Sequence, residues 1–210
     1  MGADGSCRRP AFRLWRQLSE DGKYNTGPPH QFYGRRRGHR LRPARAALMA
    51  ELLPRLRVDG SGVAVDIDPK TLFAETVEAV WLEIGFGAGE HLACQAAAHE
   101  TVGMIGCEPF IDGIATLLSR IDAESLTNIR IHDDDARGLL PRLTTSSIDR
   151  LFLLFNDPWP KKRHHRRRFI QTETVAGIAR ILRDDGEFLV ASDHANYTRW
   201  CLGHVVANGD

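Results

Sequence analysis

The sequence predicts an α/β protein whose mostly parallel sheet is covered by helices on both faces, the doubly wound arrangement. From residue 79 onward, short apolar segments of strand type alternate with segments of helical period. A glycine-rich turn, "GFGAG", joins the first of these strands to the helix that follows it. Acidic residues follow the ends of successive strands, where a doubly wound sheet binds its ligands.

Five strands are predicted from short apolar runs that are separated by turn residues and helical segments. Because a helix lies between consecutive strands, we expect the strands to be parallel. The predicted strands are AVWLEI (79–84), TVGMIGC (101–107), NIRIH (128–132), IDRLFLLF (148–155) and EFLVAS (187–192).

Six helices are predicted from apolar stripes of helical period. Pro43 suits the first turn of the first helix, and Pro54 marks its end. The turn DDG (184–186) is expected to separate the fifth helix from the last strand. The predicted helices are ARAALMAELL (44–53), EHLACQAAA (90–98), IDGIATLLSRI (111–121), ARGLLPRL (136–143), RRFIQTETVAGIARIL (167–182) and ANYTRWCLGHVV (195–206).

The chain divides into a basic, largely flexible N-terminal segment (residues 1–42) and one folded domain (residues 43–210). The N-terminal segment is rich in Gly, Pro and Arg, and it has no sustained period. The domain is long enough to bury a core of its own.

The net charge of +1 hides a strong segregation of charge. Residues 1–45 contain eleven Lys or Arg and three acidic residues, and residues 161–168 contain six Lys or Arg and no acidic residue. One basic run is as often a solvated surface as a binding site. Two basic patches on an otherwise acidic protein are typical of a nucleic-acid-binding protein.

Other classes of protein are disfavoured. No apolar run is long enough to cross a membrane, and the amino terminus lacks the apolar core of a secretory signal. The four cysteines are scattered and contain no C-x-x-C pair, so neither a disulfide framework nor a zinc site is predicted. We therefore expect a cytoplasmic protein without a bound metal.

The glycine loop "LEIGFGAGEH" favours S-adenosylmethionine over a dinucleotide. Its third glycine comes one residue too early for G-x-G-x-x-G, and Glu90 stands where a pyrophosphate would need a neutral neighbour. S-adenosylmethionine has no phosphate and carries positive charge, so Gly85 and Gly87 can approach it while carboxylates offset its charge. Glu108 can accept hydrogen bonds from the ribose, and Asp135 can accept one from the adenine amine.

Together these motifs resemble the bacterial tRNA (guanine-N(7)-)-methyltransferase family. The stretches that carry the resemblance occur in order: LEIGFGAGEH, GCEPF, HDDDARGLL, FNDPWPKKRHHRRRFIQ and ASDHANY, while GRRRGHRLRP is similar to the N-terminal basic motif. The resemblance implies a class I SAM-dependent methyltransferase fold. It also implies methyl transfer from S-adenosylmethionine to the 7-nitrogen of a guanosine in the variable loop of tRNA.

The resemblance further implies the site residues. The methyl donor would be held by Glu83, Glu108, Asp135 and Asp157, and Asp157 would also be the catalytic residue. Lys161 and Asp193 would contact the substrate. The RNA would be bound by Arg163, His164, His165, Arg166, Arg167 and Arg168.

Such a reaction gives Asp157 a chemical role. The 7-nitrogen of guanine has a free lone pair, so no base is required, but methylation leaves a new positive charge on the purine. A carboxylate held by Pro158 and Trp159 can stabilise that charge and align the base. Trp159 can either stack on a base or anchor the core. The neighbouring Lys and Arg residues would hold phosphates without reading the sequence.

Two features depart from the family pattern. Asn156 stands where the family usually has Pro. Amino methyltransferases have the sequence Asn or Asp, Pro, Pro and an aromatic residue at the same strand end, so a methyltransferase role is still expected. The chain ends at Asp210, so we expect the last strands to be missing and strand five to have an unpaired edge. The alternatives are a SAM-dependent methyltransferase of another substrate and a noncatalytic tRNA-binding protein. The sequence leaves open whether this chain is active as given, and whether it is a monomer or a homodimer.

Overall fold

A computed structural model describes residues 32–58 and 66–209 of the chain. Its centre is a five-stranded sheet with the strand order β3-β2-β1-β4-β5, and every neighbouring pair of strands is parallel. The strands are β1 (Ala79–Ile84), β2 (Val102–Cys107), β3 (Ile129–His132), β4 (Ile148–Leu154) and β5 (Leu182–Ala191). The predicted doubly wound α/β fold is confirmed.

Helices connect the strands in the alternation that the sequence predicts. The α-helices are α1 (Pro43–Glu51), α2 (Leu53–Leu56), α3 (Glu90–Ala98), α4 (Ile111–Glu124), α5 (Ala136–Leu139), α6 (Thr172–Ile181) and α7 (Ala195–Gly209). Short 3-10 helices lie at Pro69–Leu72, Leu140–Arg142 and Lys162–Arg167. The first helix begins at Pro43 as expected, and Pro54 lies in the first turn of α2.

The sheet has a core on each face because successive strand residues point to opposite sides. On one face, Leu82 and Leu151 pack in a cluster that includes residues of α5, α6 and α7. On the other face, Trp81 and Phe152 pack in a cluster that includes residues of α2, α3 and α4. A parallel sheet covered on both faces leaves the ends of its strands as the place for a site.

Two predicted boundaries differ most from those of the structure, and each has a local cause. Residues 184–186 do not separate a helix from a strand, because they lie inside β5, where Ile148 pairs with Leu182 and Arg150 pairs with Glu187. Two steps along β4 therefore oppose five steps along β5, and the turn residues form an irregularity within the strand. Helix α6 begins at Thr172, because the side chains of Gln171 and Thr174 form a capping box there.

The segment just before α1 is fixed to the domain, and we call residues 32–38 the strap. The Ile111 N–H donates to the carbonyl of Arg36 at 3.0 Å, and the Gly38 N–H donates to the Asp112 carboxylate at 2.9 Å. Arg36 also pairs with Asp134 at 2.6 Å. Residues 1–31 of the expected flexible segment lie outside the described part of the chain. Among the described helices, none is both long and apolar enough to cross a membrane.

Candidate functional site

A cavity of about 300 Å³ lies at the carboxyl ends of the strands, and we call it the site cavity. Parallel strands bring residues that are far apart in the sequence to one edge of the sheet, so β1, β2 and β4 all contribute to it. The residues that line it from these strand ends are Ile84, Gly85, Cys107, Glu108, Leu153, Phe155, Asn156 and Asp157. The arrangement can hold a ligand of small-molecule size beside two carboxylates.

The glycine loop borders this cavity with an open backbone. Gly85 and Gly87 have φ angles of 73° and 57°, a region that side chains with a Cβ rarely adopt. A Cβ at either position would meet no other atom within 4 Å, so the backbone conformation rather than crowding requires glycine. The loop therefore presents an uncovered backbone that a ligand can approach. Gly85 lines the site cavity, and the N–H group of Gly87 donates to Glu108, which also lines it.

Glu108 connects the ends of two strands. Its two carboxylate oxygens accept hydrogen bonds from the N–H groups of Gly87 and Phe110, each at 2.9 Å. Its exposed fraction is 9%, and burial raises its pKa, although the two N–H groups oppose this rise. The charge of Asp157 raises the pKa of Glu108 further. The two carboxylates therefore act on one another across the site cavity.

Asp135 lines the site cavity but is already bound to an arginine. It caps α5 by accepting the Arg137 N–H at 3.0 Å, and the Arg137 guanidinium donates to both of its oxygens at 2.7–3.1 Å. Arg137 also lines the cavity. A ligand amine would have to share the Asp135 carboxylate with Arg137, a partner that the sequence did not indicate.

Glu83 is not among the residues that line the site cavity. It is 4% exposed, and its carboxylate lies 2.7 Å from Nδ1 of His91. Burial raises the pKa of Glu83, and the contact with His91 opposes this rise. Residues 83 and 91 flank the glycine loop, so this pair closes the base of the loop.

Asp157 lies in a strained loop, residues 155–159, which we call the Asp157 loop. Phe155 and Trp159 have φ angles of 51° and 40°, which are unusual for residues with bulky side chains. Such conformations cost on the order of 1–3 kcal/mol each and persist only where the surroundings fix them. Asp157 itself is exposed and lines the cavity. Next to it, Asn156 donates to the hydroxyl of the buried Tyr197 at 2.6 Å.

The basic segment, residues 161–168, contains the 3-10 helix Lys162–Arg167 and follows the Asp157 loop. Its members with exposed side chains are Lys161, Lys162, Arg163 and Arg166. Side chains of this type and exposure can hold phosphates. Arg167 instead lies between the rings of Tyr33 and Trp159, at 4.7 and 5.0 Å from their centroids.

The two histidines of the basic segment are half-buried. Desolvation, and then the positive charges around it, lower the pKa of His164. The ring of His165 packs edge-on against Trp200, with 5.2 Å between the centroids. Both rings are therefore less accessible to a ligand than the exposed cations of the segment are.

The prediction that Arg168 binds RNA is wrong for this conformation, because its side chain is fully buried. Its Nε donates to the carbonyl of Pro158 at 2.9 Å, and its Nη2 donates to Asn196 at 2.9 Å. The position of a residue within a basic run does not reveal that it points inward. By contrast, Asp193 is exposed beyond the end of β5 and does not line the site cavity.

The strap supplies cavity residues that sequence reasoning missed. Phe32, Tyr33, Gly34 and Arg35 all line the site cavity. The only indication in the sequence is the aromatic residue before the run GRRRG, which has no helical or strand period. Among the described residues, no cluster of three or more His, Cys, Asp or Glu side chains is arranged to hold a metal ion.

Comparison with known proteins agrees with this geometry. The model of a family described as "Putative methyltransferase" matches residues 77–210. A tRNA (guanine-N(7)-)-methyltransferase from Rhodopseudomonas palustris (strain BisB18) is 49% identical over 179 residues, which are 85% of this chain and 71% of that protein. The protein of the same name from Rhodospirillum rubrum is 49% identical over 180 residues, with the same two coverages.

Solved structures are similar in fold at low sequence identity. An antibiotic-related methyltransferase matches with a TM-score of 0.52 and 14% identity, over 71% of this chain and 77% of that one. A precorrin-6Y C5,15-methyltransferase from Geobacter metallireducens GS-15 matches with a TM-score of 0.52 and 13% identity, over 79% of this chain and 69% of that one. These two similarities support the class I methyltransferase fold.

Proposed function

The chain belongs to the tRNA (guanine-N(7)-)-methyltransferase family, and we propose that it methylates the 7-nitrogen of a guanosine in the variable loop of tRNA. The methyl donor of such an enzyme is S-adenosylmethionine. The observation that carries the proposal is that carboxylates and exposed cations lie side by side. The carboxylates of Glu108 and Asp157 line the site cavity, and the exposed cations of the basic segment adjoin it.

The residues of the site cavity fit S-adenosylmethionine. The open backbone at Gly85 and Gly87 can receive the methionine part, and the carboxylates offset positive charge. When bound, S-adenosylmethionine supplies an electrophilic methyl group on a sulfonium centre. Glu108 would accept hydrogen bonds from the ribose, because its oxygens retain lone pairs beyond the two that accept backbone N–H groups.

Asp135 and Glu83 would act differently from Glu108. The Asp135 carboxylate would accept the adenine amine while it keeps Arg137 in place. Glu83 would hold the glycine loop through His91. Its direct contact with the donor stays a prediction from the sequence.

Asp157 would act on the guanine. Because the 7-nitrogen already carries a lone pair, the enzyme has no proton to remove before the methyl group is transferred. The purine gains a positive charge as the bond to the methyl group forms. A fixed carboxylate interacts more strongly with that charge than with the neutral base, and such a difference raises the rate.

The exposed residues of the basic segment would hold the tRNA backbone. Lys161, Arg163 and Arg166 are free to reach phosphates, whereas Arg168 is not. Asp193 would contact substrate from beyond the end of β5 once RNA is bound. We place this activity in the cytoplasm, where tRNA is modified, and propose a monomer or homodimer as the acting form.

In vitro methyl transfer tests the proposed function. The chain is incubated with labelled S-adenosylmethionine and an unmodified tRNA transcript that has a guanosine in its variable loop. The product is digested and examined for 7-methylguanosine by mass spectrometry. The matched control is a transcript with adenosine at the same position. Equal labelling of both transcripts, or label in a different modified nucleoside, would contradict the proposal.

A further inference from the structure

We propose that Arg168 is a positioning residue for methyl transfer, which fixes the backbone that carries Asp157 without touching RNA or the methyl donor. The proposal rests on the proposed function for the reaction concerned. The structural basis of the proposal is independent of that function, since it consists only of the contacts of Arg168. The sequence places Arg168 among the cations that bind RNA, and the proposal gives this residue a different role.

The first observation is the environment of the Arg168 guanidinium. The side chain is fully buried, and among the described residues no carboxylate lies within ion-pair distance of it. The rings of Tyr197 and Trp200 lie 5.4 and 4.8 Å from its central carbon. A buried cation without an opposite charge is costly, so the two rings and the hydrogen bonds of Nε and Nη2 must compensate, since Nη1 has no hydrogen-bond partner among the described residues.

The second observation is where those hydrogen bonds go. Nε donates to the carbonyl of Pro158 at 2.9 Å, and Nη2 lies 3.4 Å from the carbonyl of Trp159. Nη2 also donates to the side-chain oxygen of Asn196 at 2.9 Å. One planar guanidinium therefore joins the two residues that follow Asp157 to the first turn of α7.

The third observation is that the fixed segment is strained. Phe155 and Trp159, at the two ends of the Asp157 loop, both have positive φ angles. A loop of this kind relaxes unless contacts hold it in place. On the side that follows Asp157, the described hydrogen bonds that hold the loop come from Arg168. Loss of these bonds should let the loop relax and should displace the Asp157 carboxylate.

The variant Arg168→Lys tests this role. Lysine keeps the positive charge, but its single nitrogen cannot reproduce the planar fork that joins three acceptors. We expect the single-turnover rate at saturating S-adenosylmethionine and tRNA to fall roughly tenfold to a hundredfold, since small displacements of reacting groups have effects of this size. The affinities for both ligands should change little.

Two control variants separate positioning from other roles. Arg180→Met removes another buried arginine, which donates to the carbonyls of Leu143 and Leu140 at 2.7 and 2.6 Å, away from the site cavity. It should lower the melting temperature while the transfer rate at saturation is retained. Arg166→Ala removes an exposed cation and should reduce the salt dependence of tRNA binding.

The outcomes are distinct. A parental transfer rate in folded Arg168→Lys would overturn the proposal. A reduced salt slope, like that of Arg166→Ala, together with a normal rate would show a direct RNA contact instead. An equally slow Arg180→Met variant would show general destabilisation. If Arg168→Lys does not fold, Asn196→Ala loosens the same guanidinium from an exposed position and should lower the rate in the same direction, and an unchanged rate there would overturn the proposal.

A spectroscopic readout keeps the proposal separate from the proposed function. Trp159 can be labelled with 5-fluorotryptophan, and its ¹⁹F resonance can be assigned with Trp159→Phe. The resonance should broaden or shift in Arg168→Lys and should remain as in the parent in Arg180→Met. If the parent chain transfers no methyl group, the proposed function fails, and this resonance alone decides whether Arg168 fixes the loop. An unchanged resonance in Arg168→Lys would then overturn the proposal.

Discussion

The substitution Glu108→Gln tests how the site cavity holds its donor. The two oxygens of Glu108 accept the N–H groups of Gly87 and Phe110, each at 2.9 Å. Glutamine has one carbonyl oxygen, so one of these N–H groups would face a side-chain NH₂ group instead. The substitution keeps the size of the side chain, and it removes both the charge and one acceptor.

The structure gives the expected size of the effect on stability. A hydrogen bond to a charged group contributes about 1.5–3 kcal/mol. The neutral glutamine also avoids the burial penalty that raises the pKa of Glu108, so the loss should lie near the lower end of that range. For a chain of this length, about 1.5 kcal/mol corresponds to a melting temperature lower by about 3–6 °C.

The effect on the donor should be larger than the effect on stability. The ribose would lose its charged acceptor, which corresponds to an affinity for S-adenosylmethionine lower by roughly tenfold to a hundredfold. Isothermal titration calorimetry measures the affinity, and thermal unfolding measures the stability. Glu90→Gln is the matched control, because Glu90 is 64% exposed and faces Arg120 at 3.0 Å.

The results separate two roles of Glu108. A lower melting temperature with an unchanged donor affinity would show that Glu108 fixes the glycine loop but does not bind the ribose. Equal losses of affinity in Glu108→Gln and Glu90→Gln would show a general effect of charge. Either result would refute the assignment of Glu108 as the ribose acceptor.

Three further predictions concern the reaction, the RNA and the pH. Asp157→Asn should lower the single-turnover transfer rate about a hundredfold to a thousandfold, because one preorganised electrostatic contact contributes about 2.7–4 kcal/mol. The affinities for S-adenosylmethionine and tRNA should change little. A loss confined to the affinity for S-adenosylmethionine would make Asp157 a binding residue only. The double variant Arg163→Ala/Arg166→Ala should lower the slope of log tRNA affinity against log salt by somewhat under about 1 for each lost phosphate contact, with donor affinity unchanged; an unchanged slope would make these side chains a solvated surface. Burial raises the pKa of Glu108 above 4.5, so calorimetry should show donor affinity falling as the pH falls through that raised pKa, and a flat profile would contradict a role for the ionised carboxylate.

The same protonation should act on the stability of the free protein in the opposite direction. Burial raises the pKa values of both Glu83 and Glu108 above 4.5, so the native state binds their protons more tightly than the unfolded state does. Their contribution to stability is therefore present below pH 4.5 and is lost as the pH rises through the raised values. On acidification, the affinity for S-adenosylmethionine should therefore weaken while the protonation of Glu83 and Glu108 stabilises the fold. This combination would show that the loss of affinity comes from protonation of Glu108 and not from acid unfolding.

The regular elements were predictable because their periods are strong. Strand β1 and helix α3 have the predicted bounds, since the apolar run of β1 is buried and glycine residues precede α3. The turn residues at 184–186 misled the prediction because the same residue types occur in strand irregularities. Local sequence preferences do not distinguish these two cases, whereas the register with β4 does.

The site residues that the sheet topology places could be predicted from the sequence. The residues whose role depends on the direction of the side chain could not. Glu108, Asp135 and Asp157 meet at the cavity because the carboxyl ends of parallel strands lie at one edge. The inward direction of Arg168 could not be predicted, because its five Lys and Arg neighbours in the basic run give no period that marks a buried face. The contribution of the strap was missed because Phe32 and Tyr33 reach the cavity through tertiary contacts alone.

Nucleoside mass spectrometry of cellular tRNA shows whether this chain produces 7-methylguanosine. The tRNA is taken from cells that lack this protein and any redundant enzyme, and from the same cells with the gene restored. We expect 7-methylguanosine to be absent from the variable loop without the protein, the parent gene to restore it, and the Asp157→Asn gene not to restore it. An unchanged amount of 7-methylguanosine in cells that lack the protein would show that this chain does not produce it.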